Sequence, residues 1–85
     1  MAIFFVEYDL RKDRNYPKLI EELEKMGGIR ILKSLWAIKP VVADLTCQGL
    51  ASHFRRYIDN DDGLLVSRVT DWSGFNLLRR PPDIN

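Results

Sequence analysis

The stretch Ile3-Phe4-Phe5-Val6-Glu7-Tyr8-Asp9 constrains this chain more than any other. Consecutive apolar residues, most of them β-branched or aromatic, predict a strand. Alternate side chains of a strand face opposite ways, so Ile3 and Phe5 share one face and Phe4 and Val6 the other. Both faces are apolar, which predicts a central strand needing cover on each side. The strand ends on a carboxylate, Asp9, with Arg11, Lys12 and Arg14 just beyond it. An acid at the tip of a buried strand beside a basic loop is the arrangement here that points to chemistry.

Cover is scarce in a chain of 85 residues. At that size a single domain buries only ~60–65% of its unfolded surface, so no apolar face can be left idle cheaply. A net charge of +1 means that overall charge does not announce nucleic acid, and any such case must rest on local clusters. The lone Cys47 excludes an internal disulfide, and no Cys/His set has zinc-site spacing. The sequence has no signal-peptide pattern and no run approaching ~20 apolar residues. The expectation is a cytoplasmic protein with no membrane association.

A polar loop from Leu10 to Asn15 leads into a helix. Asn15 or Tyr16 can cap it, and Pro17 suits its first turn. Tyr16, Leu19, Ile20, Leu23 and Met26 recur at helical spacing opposite Glu21, Glu22, Glu24 and Lys25, and Gly27-Gly28 supplies a left-handed stop. Ile29 to Val42 reads as extended: two short antiparallel strands or one kinked long one, interrupted at Lys33-Ser34 and ended by Pro40. Thr46 can cap a second helix, with Leu45 and Leu50 spaced as a hydrophobic staple. Cys47, Leu50, Ala51, Phe54, Tyr57 and Ile58 are its inward stripe, weakened by Gly49 by roughly 1 kcal/mol relative to Ala. Asp59 to Gly63 is a turn, and Leu64 to Val69 a last strand.

Strand, helix, two strands, helix, strand is the split βαβ order of ferredoxin-like domains, an α+β class. The expected organisation is one ferredoxin-like βαββαβ sandwich over 1–85, with a core over 1–70 and a C-terminal edge strand or tail over 71–85. Both helices cover one sheet face, which leaves the other apolar. A bare face of that size marks an interface, so a twofold homodimer packed through sheets or edges is expected. Trp72 to Phe75 and Leu77-Leu78 are too apolar for a free end. They are expected to add to a sheet edge, in this subunit or its partner, before Pro81-Pro82 stops them.

Two short runs carry a family likeness. Val6-Glu7-Tyr8-Asp9-Leu10 matches an apolar strand ending in Tyr-Asp. Lys33-Ser34-Leu35-Trp36 matches a basic-or-polar, Ser, aliphatic, aromatic run, and the acidic turn before Leu64-Leu65-Val66 fits as well. In these features, from about Ile3 to Val69, the chain resembles the CRISPR-associated protein two family of small adaptation-module proteins and the related virulence-associated protein D toxins. The resemblance implies that Asp9 is a catalytic metal ligand, one from each subunit across a dimer, with Mg²⁺ or Mn²⁺ as the cofactor. Tyr8 and Ser34 become candidate supporting residues.

Such an ion neutralises a phosphate and activates an attacking water for phosphodiester hydrolysis. One carboxylate is thin for Mg²⁺, and a dimer supplies two. The plainer role for Asp9 is to open the loop by bonding backbone. Glu7, on the same side of the strand, is a second ligand or, preferably, a solvated rim charge. Arg11, Lys12, Arg14 and Lys18 form a rim suited to an RNA or DNA backbone, or else an ordinary solvated loop. Arg55-Arg56 and Arg79-Arg80 are further basic pairs, the first of them suited to a helix end. His53, the sole histidine, reads as structural, and Cys47 as core. Asp59 to Gly63 lacks the ligand alternation of an EF-hand loop, and the second aromatic strand of an RNA-recognition module is absent. Three readings follow: a homodimeric metal-dependent endonuclease acting on RNA or DNA, a non-catalytic scaffold or nucleic-acid-binding subunit joined to an integrase-like partner, and a toxin-like endoribonuclease.

Overall fold

The computed structural model describes residues 2–11, 16–40 and 45–83. Its elements are β1 (Ile3–Asp9), α1 (Pro17–Lys25), β2 (Ile29–Leu32), β3 (Leu35–Ile38), α2 (Cys47–Arg55) and β4 (Gly63–Val69). The architecture is α+β: one four-stranded sheet in the order β2-β3-β1-β4, every neighbouring pair antiparallel, with two helices. β1 is an inner strand. It pairs with β3 from Phe4↔Ile38 to Glu7↔Leu35 and with β4 from Ile3↔Val69 to Asp9↔Gly63.

Local chemistry explains the elements. Tyr16 opens α1 with no side-chain cap bond, and Pro17 occupies the first turn, where a missing N–H costs nothing. The helix ends in a Schellman motif: Gly27 adopts φ +75°, its N–H donates to Glu24 O at 3.0 Å, and Gly28 N–H donates to Leu23 O at 2.8 Å. Gly28 is needed for a different reason, since a Cβ there would lie 2.6 Å from Leu23 O. Two short strands, not one kinked strand, follow, joined by a turn at Lys33-Ser34 and offset by a register shift between Arg30 and Leu32. Thr46 Oγ1 caps α2 by accepting from Gly49 N–H at 3.0 Å. The helix stops at Arg55, so Tyr57 and Ile58 join the core from the turn beyond it.

The sheet has two unlike faces. Phe4, Val6, Tyr8, Trp36 and Ile38 meet Leu19, Leu23, Leu50 and Phe54 from the helices in the larger cluster. Ile3, Ile31, Ala37 and Val69 form a smaller cluster on the opposite face, with Phe5, Ile29, Leu35, Trp72 and Leu77 packed around it. Within the larger cluster, Trp36 Nε1–H donates to Tyr8 Oη at 3.1 Å, so both polar tips are satisfied.

Two expectations change here. Residues 70–83 contain no strand, so within this chain the segment is a tail and not an edge strand. It leaves β4 at one edge and reaches β2 at the other, where Leu78 N–H donates to Ile31 O at 2.8 Å. That path crosses three strand spacings, about 14 Å. Asn76, at φ 54°, and the Pro81-Pro82 pair are incompatible with a continuous ladder. The second face is therefore not bare: Trp72 and Leu77 cover it from within the same chain. Arg80 stacks 5.3 Å above the Trp72 ring, and Lys39 Nζ donates to Asp83 O at 3.0 Å. The cover is partial. Leu65 on β4, beside Glu7, is 61% exposed.

Candidate functional site

Strand polarity gathers three turns around the end of β1. Tyr8 N–H donates to Ser34 O at 3.1 Å, which brings the β2–β3 turn alongside, and Asp9 pairs with Gly63 at the start of β4. A cleft of about 360 Å³ opens there, lined by Tyr8, Asp9, Leu10, Tyr16, Ile20, Arg30, Lys33 and Ser34. Asp9 and both supporting residues nominated from the sequence, Tyr8 and Ser34, thus share one cleft.

Among the described residues the hydrogen-bond partner of the Asp9 side chain is an arginine, not backbone. Asp9 Oδ2 accepts from Arg11 Nε at 3.2 Å, and both side chains are well exposed, so the ion pair contributes little stability. Arg11 is also held from the far side of the sequence: its N–H donates to Asp62 Oδ1 at 2.8 Å and its Nη1 to Asp61 O at 3.1 Å. The backbone-bonding role belongs to Asp62, whose other oxygen accepts from Asp59 N–H at 2.8 Å. The Arg11 N–H above all holds the Asp62 carboxyl below its ordinary range against the opposing effect of burial, and the Asp59 N–H, the Tyr16 hydroxyl and the Arg11 charge add in the same direction.

The basic rim divides. Arg11 is engaged as described, Lys12 and Arg14 lie outside the described residues along with the alternative cap Asn15, and Lys18 lines a different groove with Tyr16, Glu21, Arg56 and Tyr57. Among the described residues, the cations that line the Asp9 cleft are Arg30 and Lys33. Sequence reasoning treated them as strand and interruption. Arg30 is braced by Nε and Nη2 donating to Lys33 O at 3.0 and 2.6 Å, and its guanidinium lies 5.5 Å from the Trp36 ring centroid. The signal that could have found it is an arginine one strand across from an aromatic, Arg30↔Trp36.

His53 lies outside the cleft lining. Its Nε2 meets Glu22 Oε2 at 2.6 Å and joins α2 to α1. That bond, above all, lowers the Glu22 carboxyl from its ordinary 4.5. Cys47 is half-buried against the main cluster.

Asp9 offers hard carboxylate oxygen, the donor chemistry Mg²⁺ and Mn²⁺ take, and the Arg11 bond uses only one of its two oxygens. Among the described residues no three of His, Cys, Asp and Glu gather as a metal-holding group. The donor type therefore fits a divalent ion, and one carboxylate from one copy is short of a ligand set. No described helix is long and apolar enough to cross a membrane. No family model matches the chain, and no solved structure matches it.

Proposed function

We propose that this is a ferredoxin-like nucleic-acid-processing protein, similar to the CRISPR-associated protein two family, that works as a twofold homodimer and hydrolyses phosphodiester bonds with an Asp9 from each subunit. The observation that carries the reading is the placement of Asp9 in one cleft with Arg30 and Lys33, an acid beside two cations suited to a phosphate. The antiparallel order β2-β3-β1-β4 supports the fold assignment. Pairing is supported by the end of the tail-covered sheet face where Glu7, Asp9 and Leu65 are all exposed. A bound Mg²⁺ or Mn²⁺ would neutralise phosphate charge and lower the pKa of a water. Asp9 of each copy would hold it, and Arg30 and Lys33 would orient the backbone. Cleavage inserts that water at phosphorus, breaks one P–O ester bond and leaves a phosphate and a hydroxyl end.

The test is incubation of purified protein with labelled RNA and DNA in Mn²⁺ or Mg²⁺. Wild type cleaves, and Asp9→Ala loses at least about a hundredfold in rate, the scale of removing a main electrostatic group. Equal cleavage by both proteins removes Asp9 from the chemistry. A second reading, a non-catalytic scaffold, is favoured by the Asp9–Arg11 bond, through which Asp9 helps fix the loop against the 59–62 turn. On that reading Asp9→Ala alters binding or stability and there is no cleavage to lose.

A further inference from the structure

The Asp9 cleft does not end at Arg30. Ile20 and Arg30 also line a second pocket of about 330 Å³, completed by Glu24, Gly28, Trp36, Leu78 and Arg79. Those two side chains are thus common walls of both. From Asp9 the surface runs past Lys33, over Arg30 and on to Arg79, between α1 on one side and β2 with the tail on the other. Three cations mark the way, against two acids, Asp9 at one end and Glu24 near the other.

Two of the three cations are placed by contacts already described. Arg30 is stacked and doubly bonded, so its guanidinium sits in a fixed position between the pockets. A guanidinium has five N–H donors, and these bonds use only two of its nitrogens. Arg79 follows Leu78, whose N–H is tied to Ile31 O, so the tail delivers a cation to the open side of β2. Lys33 and Arg79 are exposed.

We infer that this groove is the track of a single nucleic-acid strand, with Lys33, Arg30 and Arg79 contacting successive phosphates and Asp9 at one end. The inference rests on the nuclease reading for the identity of the polymer and extends it, because it names the strandedness and assigns the tail a binding role. The pocket volumes decide for one strand. At about 360 and 330 Å³ each pocket is of small-molecule size, so a single backbone can enter where the bulk of a duplex cannot. Cations spaced along a narrow groove are how non-specific single-strand sites hold a backbone.

The test is fluorescence anisotropy with short labelled single-stranded RNA and DNA, and with a duplex of the same sequence, all in EDTA so that binding is read without cleavage. The double variant Lys33→Glu/Arg79→Glu is expected to bind single strands at least roughly tenfold more weakly. Its salt dependence should be shallower by about 1.4 in log–log slope, two phosphates at ~0.7 each. Arg68→Glu, exposed on the far edge strand β4, should stay within about twofold. Unchanged binding by the double variant, an equal loss in Arg68→Glu, or preference for the duplex overturns the track. A parallel Mn²⁺ cleavage assay separates the two ideas. Loss of binding in the double variant with no Asp9-dependent cleavage sinks the nuclease and leaves the track, and cleavage with unchanged binding does the reverse.

Discussion

One sheet face is closed by two helices and the other is covered in part by fourteen residues of tail without regular structure, 70–83. The helices bring aligned apolar stripes, and nine residues are buried in the cluster they form. The tail reaches the sheet with Trp72 and Leu77 and leaves four buried beneath it. A helix satisfies its own backbone and can spend a whole stripe on packing. An irregular strap must also place its polar groups, so it covers less area per residue. The difference leaves the Asp9 end of the tail-covered face, where Glu7 and Leu65 stay exposed, as its less covered end.

The contrast is open to attack in order of expected effect. Phe54→Ala, fully buried under the helices, should cost about 3–5 kcal/mol by urea unfolding. Trp72→Ala, half-buried in the tail, should cost about 1–1.5 kcal/mol, near half the burial of a large side chain. The same variant should speed hydrogen exchange at the Leu78 amide while leaving β1 protected. A Trp72 cost equal to that of Phe54 would make the tail a true half of the core.

A smaller effect concerns acid. The His53 bond lowers the Glu22 carboxyl, so the folded state holds this proton less tightly than the unfolded chain. The resulting stability is complete above the ordinary value of 4.5 and is lost as pH falls through the lowered one. Glu22→Gln should therefore flatten part of the acid-side decline in urea midpoint and leave the rest, to which Asp62 contributes with the same sign. An acid limb identical to wild type would mean that the helix–helix bond carries no linkage.

Legibility in the sequence followed contact range. β1, the Pro17 start, the Gly27-Gly28 stop and the Thr46 cap were readable because each depends on residues a few positions apart. The tail's apolar character was readable, its course was not: Trp72 and Leu77 gain as much by covering their own sheet as by pairing with a neighbour's. Asp9 was found from its position at a strand end. Arg11 was named beside it as a rim cation, but its bond to Asp9 was not legible, because Arg11 is anchored by Asp62 across 51 positions, a choice no local pattern records. Arg30 and Lys33 were missed because a hairpin turn puts them beside Asp9 only once β3 has paired with β1.

The account stands on two copies acting through a shared site, and a subunit-mixing assay reads that directly. Wild type and Asp9→Ala are unfolded together, refolded at varied ratios and constant total protein, and assayed for Mn²⁺-dependent cleavage. Cleavage falling as the square of the wild-type fraction is the predicted result. A linear fall would mean that each chain cuts alone, and cleavage indifferent to the ratio would mean that Asp9 takes no part.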